Sequence, residues 1–431
     1  MERTHYTNEL KKCVGKEVVV NGWCHDVRLL GGINFILLRD SRGIVQVKVE
    51  RKKCSKEILD LVNDLHQEDV LSVKGKVVKS KIAKAGIEII PSKIELISKA
   101  EMPLPLDPRG VTPANLETKI NWRFLFFRTE EARAIFRIQS QIVNAFREFC
   151  LKNGYMEMQP PIIISSATEG GAELFSIPYF EKKAYLAQSP QLYKQMGALS
   201  FEKVFMIVPV FRAEKFDQPT HLNEIRQMDV EQAFADYEKA MNILENCFLY
   251  ILKTVKKNSK EELKILNREL KIPKKPLKRI TYTEAIELLQ KAGEKINWGD
   301  DFSKTEERML SKVVGEEAFF IKDWPTEIKP FYAMPHEDNP KICKAFDLIH
   351  NGIEISSGTQ RIHDPELLTK QIKAKGLNPE NFKYYIDVFR YGSVPHSGWS
   401  IGLERITMTI TGKKNIREVT MFPRDRSRIV P

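Results

Sequence analysis

The sequence predicts an α+β protein in two parts, a small N-terminal β-barrel and a larger mixed body, and three observations predict it. The first hundred residues hold five runs of strand character with one helical stretch between the third and fourth. A proline-rich segment, EMPLPLDPRGVT at 101–112, then interrupts the pattern. Beyond it, helix and strand signals follow one another without the regular alternation of a doubly wound parallel sheet.

Val18 to Val27 reads as the first strand, with Gly22 as a bend and LLGG at 29–32 as the turn that follows. Phe35 to Leu38 is the second strand, and Ile44 to Val49, alternating apolar and polar, the third. Ile58, Leu59, Leu61, Val62 and Leu65 have helical spacing, and Val70 to Val78 and Ile87 to Ile97 complete the five strands. Five strands with a helix after the third is the order of an OB-fold, a barrel that often binds single-stranded nucleic acid. Proline fixes φ and disfavours regular structure, so the barrel is assigned to 1–102, a linker or hinge to 103–128 and the body to 129–431. In the body a helix is expected from Thr129 to about Lys152, with Ile135, Ile138, Ile142, Phe146 and Phe149 on its apolar face and Gly154 past its end. Strands are expected at 203–212 and 224–234, strand pairing around 344–361, and helices at 237–256, 283–292, 365–375 and 379–390.

Composition sets the remaining bounds. At 431 residues, 42% hydrophobic and 29% charged, the chain has the balance of a globular protein. No segment approaches the run of about 20 apolar residues that crosses a membrane, and MERTHYTNELKK lacks an apolar signal core, so a cytoplasmic location is expected. The six cysteines, at 13, 24, 54, 150, 247 and 343, form no CxxC pair and no zinc-ligand spacing, which predicts reduced, structural thiols. The net charge is +11, of which about +6 falls in residues 1–100. That suits a polyanionic partner, and equally an ordinary basic surface.

No Walker A sequence and no GxGxxG occurs, so ATP use requires another design. Three segments supply one: NGYMEMQPP at 153–161; FRAE at 211–214 with HLNE at 221–224 and MDVE at 228–231; and GLER at 402–405. In this order and spacing they resemble the three signature motifs of class II aminoacyl-tRNA synthetases. ATEGGAELF at 167–175, QSPQLYK at 188–194, EISSGTQR at 354–361 and FPRDRSR at 422–428 narrow the resemblance to the aspartyl-tRNA synthetases of archaeal and eukaryotic type, over essentially the whole chain. It implies an anticodon-binding OB-fold, a catalytic domain built on a six-stranded antiparallel sheet flanked by helices, a homodimer formed partly around Pro161, Mg²⁺ as cofactor, and ATP, L-aspartate and tRNA(Asp), with tRNA(Asn) as a second candidate, as substrates.

The chemistry agrees with the residue types. Attack of a carboxylate on the α-phosphate of ATP brings anions together, so the site must supply cations and alignment. The resemblance makes Arg212, Glu354 and Arg405 the catalytic residues: Arg212 on the α-phosphate and substrate carboxylate, Arg405 on the γ-phosphate. Asp347 and Glu354, helped by Ser357, would hold Mg²⁺. Ala213, Glu214, Thr220, His221, Leu222, Gly402, Leu403 and Glu404 fall at the family's other ATP positions. Lys194 and Arg361 would meet the side-chain carboxylate of aspartate and disfavour the amide of asparagine. Glu169 would meet the ammonium, and Gln191, Leu192 and Tyr193 would line the pocket. On the barrel, Phe35 would stack on an anticodon base, and Arg28 and Gln46 would hydrogen-bond bases.

Several positions depart from the pattern. Ser400 stands where relatives have glycine and is expected to tighten the approach of backbone to ATP. Thr220 replaces an arginine that meets phosphate, Ile225 an adenine-stacking phenylalanine, and Pro160 a threonine. His25 resembles enzymes that accept both tRNA(Asp) and tRNA(Asn), whereas Lys84 resembles those restricted to tRNA(Asp). The alternatives are an asparaginyl-tRNA synthetase, which would not use Lys194 for its substrate; an amide ligase acting on free aspartate, a kind that usually lacks the barrel; and a nucleic-acid binder with a damaged ATP site.

Overall fold

The computed structural model describes residues 1–166, 174–215 and 218–431. The chain divides into two compact units, Met1–Glu130 and Glu131–Pro431.

The first unit is a closed barrel of β1 (Glu17–Leu29), β2 (Ile33–Arg39), β3 (Ile44–Glu50), β4 (Val70–Lys79) and β5 (Ile87–Ser98), with strand order β1-β2-β3-β5-β4. The helix Lys56–Asn63 lies between β3 and β4, capped by the Ser55 side chain on Ile58 N. Strand alternation sends Val18, Val20, Ile36, Leu38, Val45 and Val47 inward. Gly22 lies within β1, and a Cβ there would come within 2.3 Å of Arg39 O, so close strand approach explains the glycine. Residues 103–128 belong to this unit and carry two short helices, Leu116–Asn121 and Arg123–Phe126.

The second unit is built on a sheet of β6 (Met156–Glu157), β10 (Lys203–Phe211), β11 (Glu224–Ala233), β12 (Lys278–Thr281), β13 (Ala318–Pro325), β14 (Ile342–His350), β15 (Ile353–Gln360) and β16 (His396–Gly402). Three further strands, β7 (Ile163–Ile164), β8 (Ser176–Tyr179) and β9 (Lys182–Leu186), form a small separate sheet. The order of the main sheet is β12-β13-β14-β15-β16-β11-β10-β6. Its inner six strands are antiparallel, as expected, but β12 and β6 add one parallel strand at each edge, so the sheet is mixed and eight-stranded. Both added strands are short, four and two residues, and carry too little periodicity to be read from sequence.

One face of the sheet is covered by the long helices Glu130–Lys152 and Tyr237–Asn258 and by Leu403–Thr411, with Phe146, Phe248, Phe346, Trp399 and Ile401 buried between. The other face carries charge, because a strand presents alternate residues to opposite sides. In β11, Met228 and Val230 join the core while Asp229 and Glu231 face the other way; in β14, Phe346 and Leu348 flank Asp347 in the same manner. The helix expected at 379–390 is three short pieces, Pro379–Phe382, Lys383–Ile386 and Asp387–Arg390, of which the outer two are 3₁₀. Phe382, Tyr385 and Phe389, whose spacing suggested one helix, are all buried in one aromatic cluster with Phe331.

Phe146 is fully buried, with ring centroids 5.8 Å from Phe205 and 6.2 Å from Trp399. Phe146→Ala should lower the stability of the second unit by about 3–5 kcal/mol, read as a fall in the urea midpoint.

Candidate active site and nucleic-acid surface

The charged face of the sheet is the floor of a cavity of about 780 Å³. A smaller one of about 110 Å³ adjoins it, sharing Arg212, His221, Glu354, Ser400 and Arg405 as a common wall.

At one end of the larger cavity lies a buried quartet. Lys194 Nζ donates to Asp229 Oδ1 at 2.7 Å and lies 3.7 Å from Glu231 Oε2. Arg361 grips Glu231 with Nε at 2.9 Å and Nη2 at 3.1 Å, and its Nη1 donates to Thr359 Oγ1. All four are at most 3% exposed. Burial raises the Asp229 carboxyl, which Lys194 only partly offsets. Burial also acts upward on Glu231, but Arg361 and Lys194 outweigh it and hold that carboxyl down. Gly398 makes room for this arrangement, since a Cβ there would come within 2.0 Å of Glu231 Oε2. Gln191 donates to Gln195, which also meets Tyr385 and His396, so side-chain amides tie the helix Gln191–Phe201 to β16 and to the aromatic cluster of Phe331.

The opposite end is rich in exchangeable cations. Arg405 Nη1 lies 3.1 Å from Glu354 O and 3.4 Å from Glu354 Oε2. Lys329 donates to Asp347 Oδ2 at 2.7 Å, while Asp347 Oδ1 is buried without a partner. Glu307, paired with Lys304, accepts from Glu354 N at 3.0 Å. Burial acts upward on both acids of the pair. Lys329 fails to compensate it at Asp347, pushed up to about 6. At Glu354, Arg405, Lys304, Lys329 and Arg212 overcome it and hold the carboxyl down to about 2. Arg212 stands at the end of β10, its backbone fixed by Arg212 N to Asn223 O and by Asn223 Nδ2 to Arg212 O. Its guanidinium has no ion pair among the described residues and lines both cavities.

Gln191, Lys194, Arg212, Thr220, His221, Asp347, Glu354, Ser357, Arg361 and Arg405 therefore all line the larger cavity. Glu214, Leu222, Gly402 and Glu404 line the smaller one, with Ile225. Glu404 is buried, accepts from Arg226 N with both oxygens, and is pushed up to about 7 by burial. Four expected residues are placed otherwise. Leu192 is fully buried in the apolar cluster of Phe331 and Ile362, because Gln191 and Lys194, three apart, occupy the cavity face of the helix and Leu192 the back. Tyr193, half-buried on the same helix, and Ala213 are not among the described residues that line either cavity. Leu403 packs into the main core, below the start of its helix. Glu169 lies outside the described residues. Ser400 lines both cavities, and its hydroxyl donates to Asp229 Oδ2 at 3.1 Å.

Asp229, Glu231, Lys304, Glu307 and Lys329 were not singled out beforehand. For the first two a signal existed in MDVE, where acids alternate with apolar residues inside a strand; Lys304 and Glu307, both on the helix Lys304–Val314, and Lys329 reach the cavity from outside the motifs and carry none.

On the barrel, strand register sets Arg28 opposite Phe35 and Phe35 opposite Lys48, with Leu37, Gln46 and Glu88 forming the next row. Phe35 is half-buried and outside the barrel core. Arg28 is exposed and paired with Asp26, Gln46 donates to Glu88 at 3.0 Å, and Lys84 is exposed in the turn between β4 and β5. His25 is half-buried; its Nδ1 lies 3.0 Å from Arg39 Nη1, and Arg39 is itself clamped by both oxygens of Glu68. Burial, then Arg39, depress His25.

A sheet with six antiparallel inner strands whose polar face sets arginines and carboxylates around one cavity, in a sequence with no Walker A and no GxGxxG motif, is the architecture of a class II aminoacyl-tRNA synthetase. Residues 115–426 match the family described as tRNA synthetases class II (D, K and N), and residues 18–97 the OB-fold nucleic acid binding domain. The chain is 49% identical to the aspartate–tRNA(Asp) ligase of Pyrococcus abyssi over the whole of both chains. It is 46% identical to the aspartate–tRNA(Asp/Asn) ligase of Methanocaldococcus jannaschii, over all of this chain and 98% of that one. Among solved structures, the asparaginyl-tRNA synthetase of Pyrococcus horikoshii complexed with asparaginyl-adenylate superposes with a TM-score of 0.96 at 34% identity, covering 100% of both chains. A putative aspartyl-tRNA synthetase from Leishmania major gives 0.91 at 31%, covering 100% of this chain and 96% of that one. The chain belongs to the class II tRNA synthetases of the D, K and N group.

His221 supplies a pH test. Burial, then Arg405, Lys304 and Arg212, lower it to about 4 from an ordinary 6.5. The unfolded chain therefore takes its proton first as pH falls, and stability is lost between about 6.5 and 4. His221→Asn should remove a loss on the order of 2 kcal/mol over that window, seen by comparing urea midpoints of both proteins at each pH.

Proposed function

We infer that this chain is an aspartate–tRNA ligase, which activates L-aspartate with ATP and transfers it to the 3′ end of tRNA(Asp). The observation that carries the reading is the pairing of Lys194 and Arg361 in one buried end of the catalytic cavity. Both are donors only, so a carboxylate satisfies them and an amide NH₂ does not. The full-length relatives named as aspartate ligases support this over asparagine, although an asparagine enzyme shares the fold.

In activation an oxygen of the aspartate α-carboxylate forms a bond to the α-phosphorus of ATP, the bond from that phosphorus to the bridging oxygen breaks, and pyrophosphate leaves. Arg212, whose guanidinium has no ion pair among the described residues, meets the α-phosphate and the attacking carboxylate. Arg405 meets the outer phosphates from the common wall. The neutral His221 donates or accepts beside them without adding charge, and the apolar side chains of Leu222, Ile225 and Ile416 offer a surface for the adenine. In the second step the terminal ribose hydroxyl of tRNA attacks the aspartyl carbonyl, and AMP leaves.

The residues present fit Mg²⁺. Asp347 Oδ1 is buried and unpartnered, Ser357 lies opposite Asp347 in the strand register, and Glu354 stays ionised. Among the described residues no group of three or more His, Cys, Asp or Glu side chains could hold a metal. Two carboxylates with phosphate oxygens and water is a donor set that suits Mg²⁺. When bound, the ion neutralises phosphate charge and aligns the leaving pyrophosphate.

The barrel reads the anticodon: Phe35 stacks on a base and Arg28, Gln46 and His25 meet base edges, with Lys84 as a flanking cation. Exposed Met156, Ile162 and Ile163, beside Pro161, support a homodimer through this segment. Among the described residues no helix is long and apolar enough to cross a membrane; the reading places the enzyme in the cytoplasm.

The direct test charges tRNA(Asp) and tRNA(Asn) transcripts, each with labelled aspartate and labelled asparagine. Aspartate on tRNA(Asp) alone makes Lys84 the informative residue, and aspartate on both makes it His25; asparagine charging overturns the reading. Lys194→Met should cut kcat/KM for aspartate in ATP–pyrophosphate exchange on the order of 10²–10³-fold, the cost of truncating a buried charge pair. Phe35→Ala should leave exchange intact and raise KM for tRNA about 10–100-fold, the loss of one base stack.

A further inference from the structure

Four side chains fall in one row across the sheet of the catalytic unit. Asp347 stands opposite Ser357, Ser357 opposite Ser400, and Ser400 opposite Asp229. All four line the larger cavity, and the row connects the carboxylate beside Lys329 to the one beside Lys194. Asp229 is 1% exposed and is held from two sides: Lys194 Nζ donates to Oδ1 at 2.7 Å and Ser400 Oγ to Oδ2 at 3.1 Å.

We propose that Ser400 is a positioning residue for amino-acid selection: by holding Oδ2 of Asp229 it leaves Lys194 bonded to Oδ1 alone, free to present another N–H to the side-chain carboxylate of aspartate. An ammonium has three N–H bonds. One is committed to Asp229, and Glu231 at 3.7 Å lies beyond hydrogen-bond range. Remove the Ser400 hydroxyl and Oδ2 is a buried acceptor that has lost its donor, an unfavourable state. The donor already in contact with Asp229 is Lys194. Asp229 turning both oxygens toward it draws the ammonium away from the substrate and closes the space the substrate carboxylate needs. A glycine at this position has no hydroxyl to give, so this chain fixes Asp229 by a contact that the residue expected there lacks. Ser400 acts on the substrate through Asp229 and Lys194.

The inference rests on the aspartate–ligase reading, and one set of variants separates the two. Ser400→Ala keeps Cβ and removes the hydroxyl, Ser400→Gly removes both, and Ser400→Thr restores a hydroxyl. In ATP–pyrophosphate exchange, KM for aspartate should rise about tenfold in Ser400→Ala and Ser400→Gly alike, the scale of one hydrogen bond to a charged group. KM for ATP should move less than about twofold, which also reports an intact fold, and Ser400→Thr should recover most of the affinity. A Ser400→Ala protein with the parent's KM for aspartate, or a rise in KM for ATP matching that for aspartate, overturns the proposal while the parent's aspartate-dependent exchange leaves the ligase reading standing. A parent protein that exchanges with asparagine and not aspartate overturns both.

Discussion

Lys194 and Arg361 can be buried only because Asp229 and Glu231 are buried with them. An unpaired ammonium or carboxylate at 3% exposure or less would cost several kcal/mol after relaxation, and each would neutralise itself by a shift in pKa. Paired, each charge meets a counter-charge at short range, and the pairing dictates much around them. Gly398 must lack a Cβ so that Glu231 fits. Thr359 must supply an acceptor for Arg361. Strands β10, β11 and β16 must keep their register, since a slip of one residue would exchange Asp229 for a core position and Val230 for a cavity position. The quartet is therefore a constraint on the sheet as much as on the ligand.

The phosphate end follows a different logic. Its charges are uneven: Glu354 is held down to about 2 by four cations, whereas at Asp347 burial and the neighbouring Glu354 outweigh Lys329 and push it up to about 6. Arg212, Arg405, Lys304 and Lys329 exceed the acids they face, leaving positive charge for a triphosphate. The closed end is balanced before substrate enters; the open end is not. A cavity organised in this way admits a polyanion at one end by net charge and must choose its amino acid at the other by the placement of donors.

Much of this was legible in the sequence, for identifiable reasons. The barrel was read within two residues at its strand ends because short apolar-rich runs are bounded there by turn residues; β10 and β14 are largely apolar runs, while β11 shows as acids alternating with apolar residues. The edge strands β6 and β12 are too short to show a period. At 379–390 the spacing of Phe382, Tyr385 and Phe389 is compatible with one helix and with successive tight turns, and only packing against Phe331 decides between them. Motif residues such as Lys194, Arg212, Arg361 and Arg405 line the cavity, whereas Leu192 and Leu403, in the same motifs, are turned into the core by helix geometry. Lys329 and Lys304 come from segments joined to the site only by the fold, so no local pattern could disclose them.

The balanced quartet bears on how aspartate is told from asparagine. Each cation at this end is already paired with an acid, so little is left to favour an anion at long range. Selection has to come from short-range direction. Lys194 and Arg361 present N–H bonds and no acceptor, and their partners Asp229 and Glu231 already occupy some of them. An asparagine amide could satisfy such donors through its oxygen but would bring its NH₂ against them, leaving buried donors unpaired, which is the arrangement that rejects a near-isostere most strongly. That discrimination holds only while the two acids stay in place. If Asp229 turned freely, it could accept from an intruding NH₂, and the same four residues would tolerate the amide. On the proposed reading, fixing the acids matters to selectivity as much as supplying the cations, which gives Arg361 on Glu231 and Ser400 on Asp229 a part in recognising the substrate.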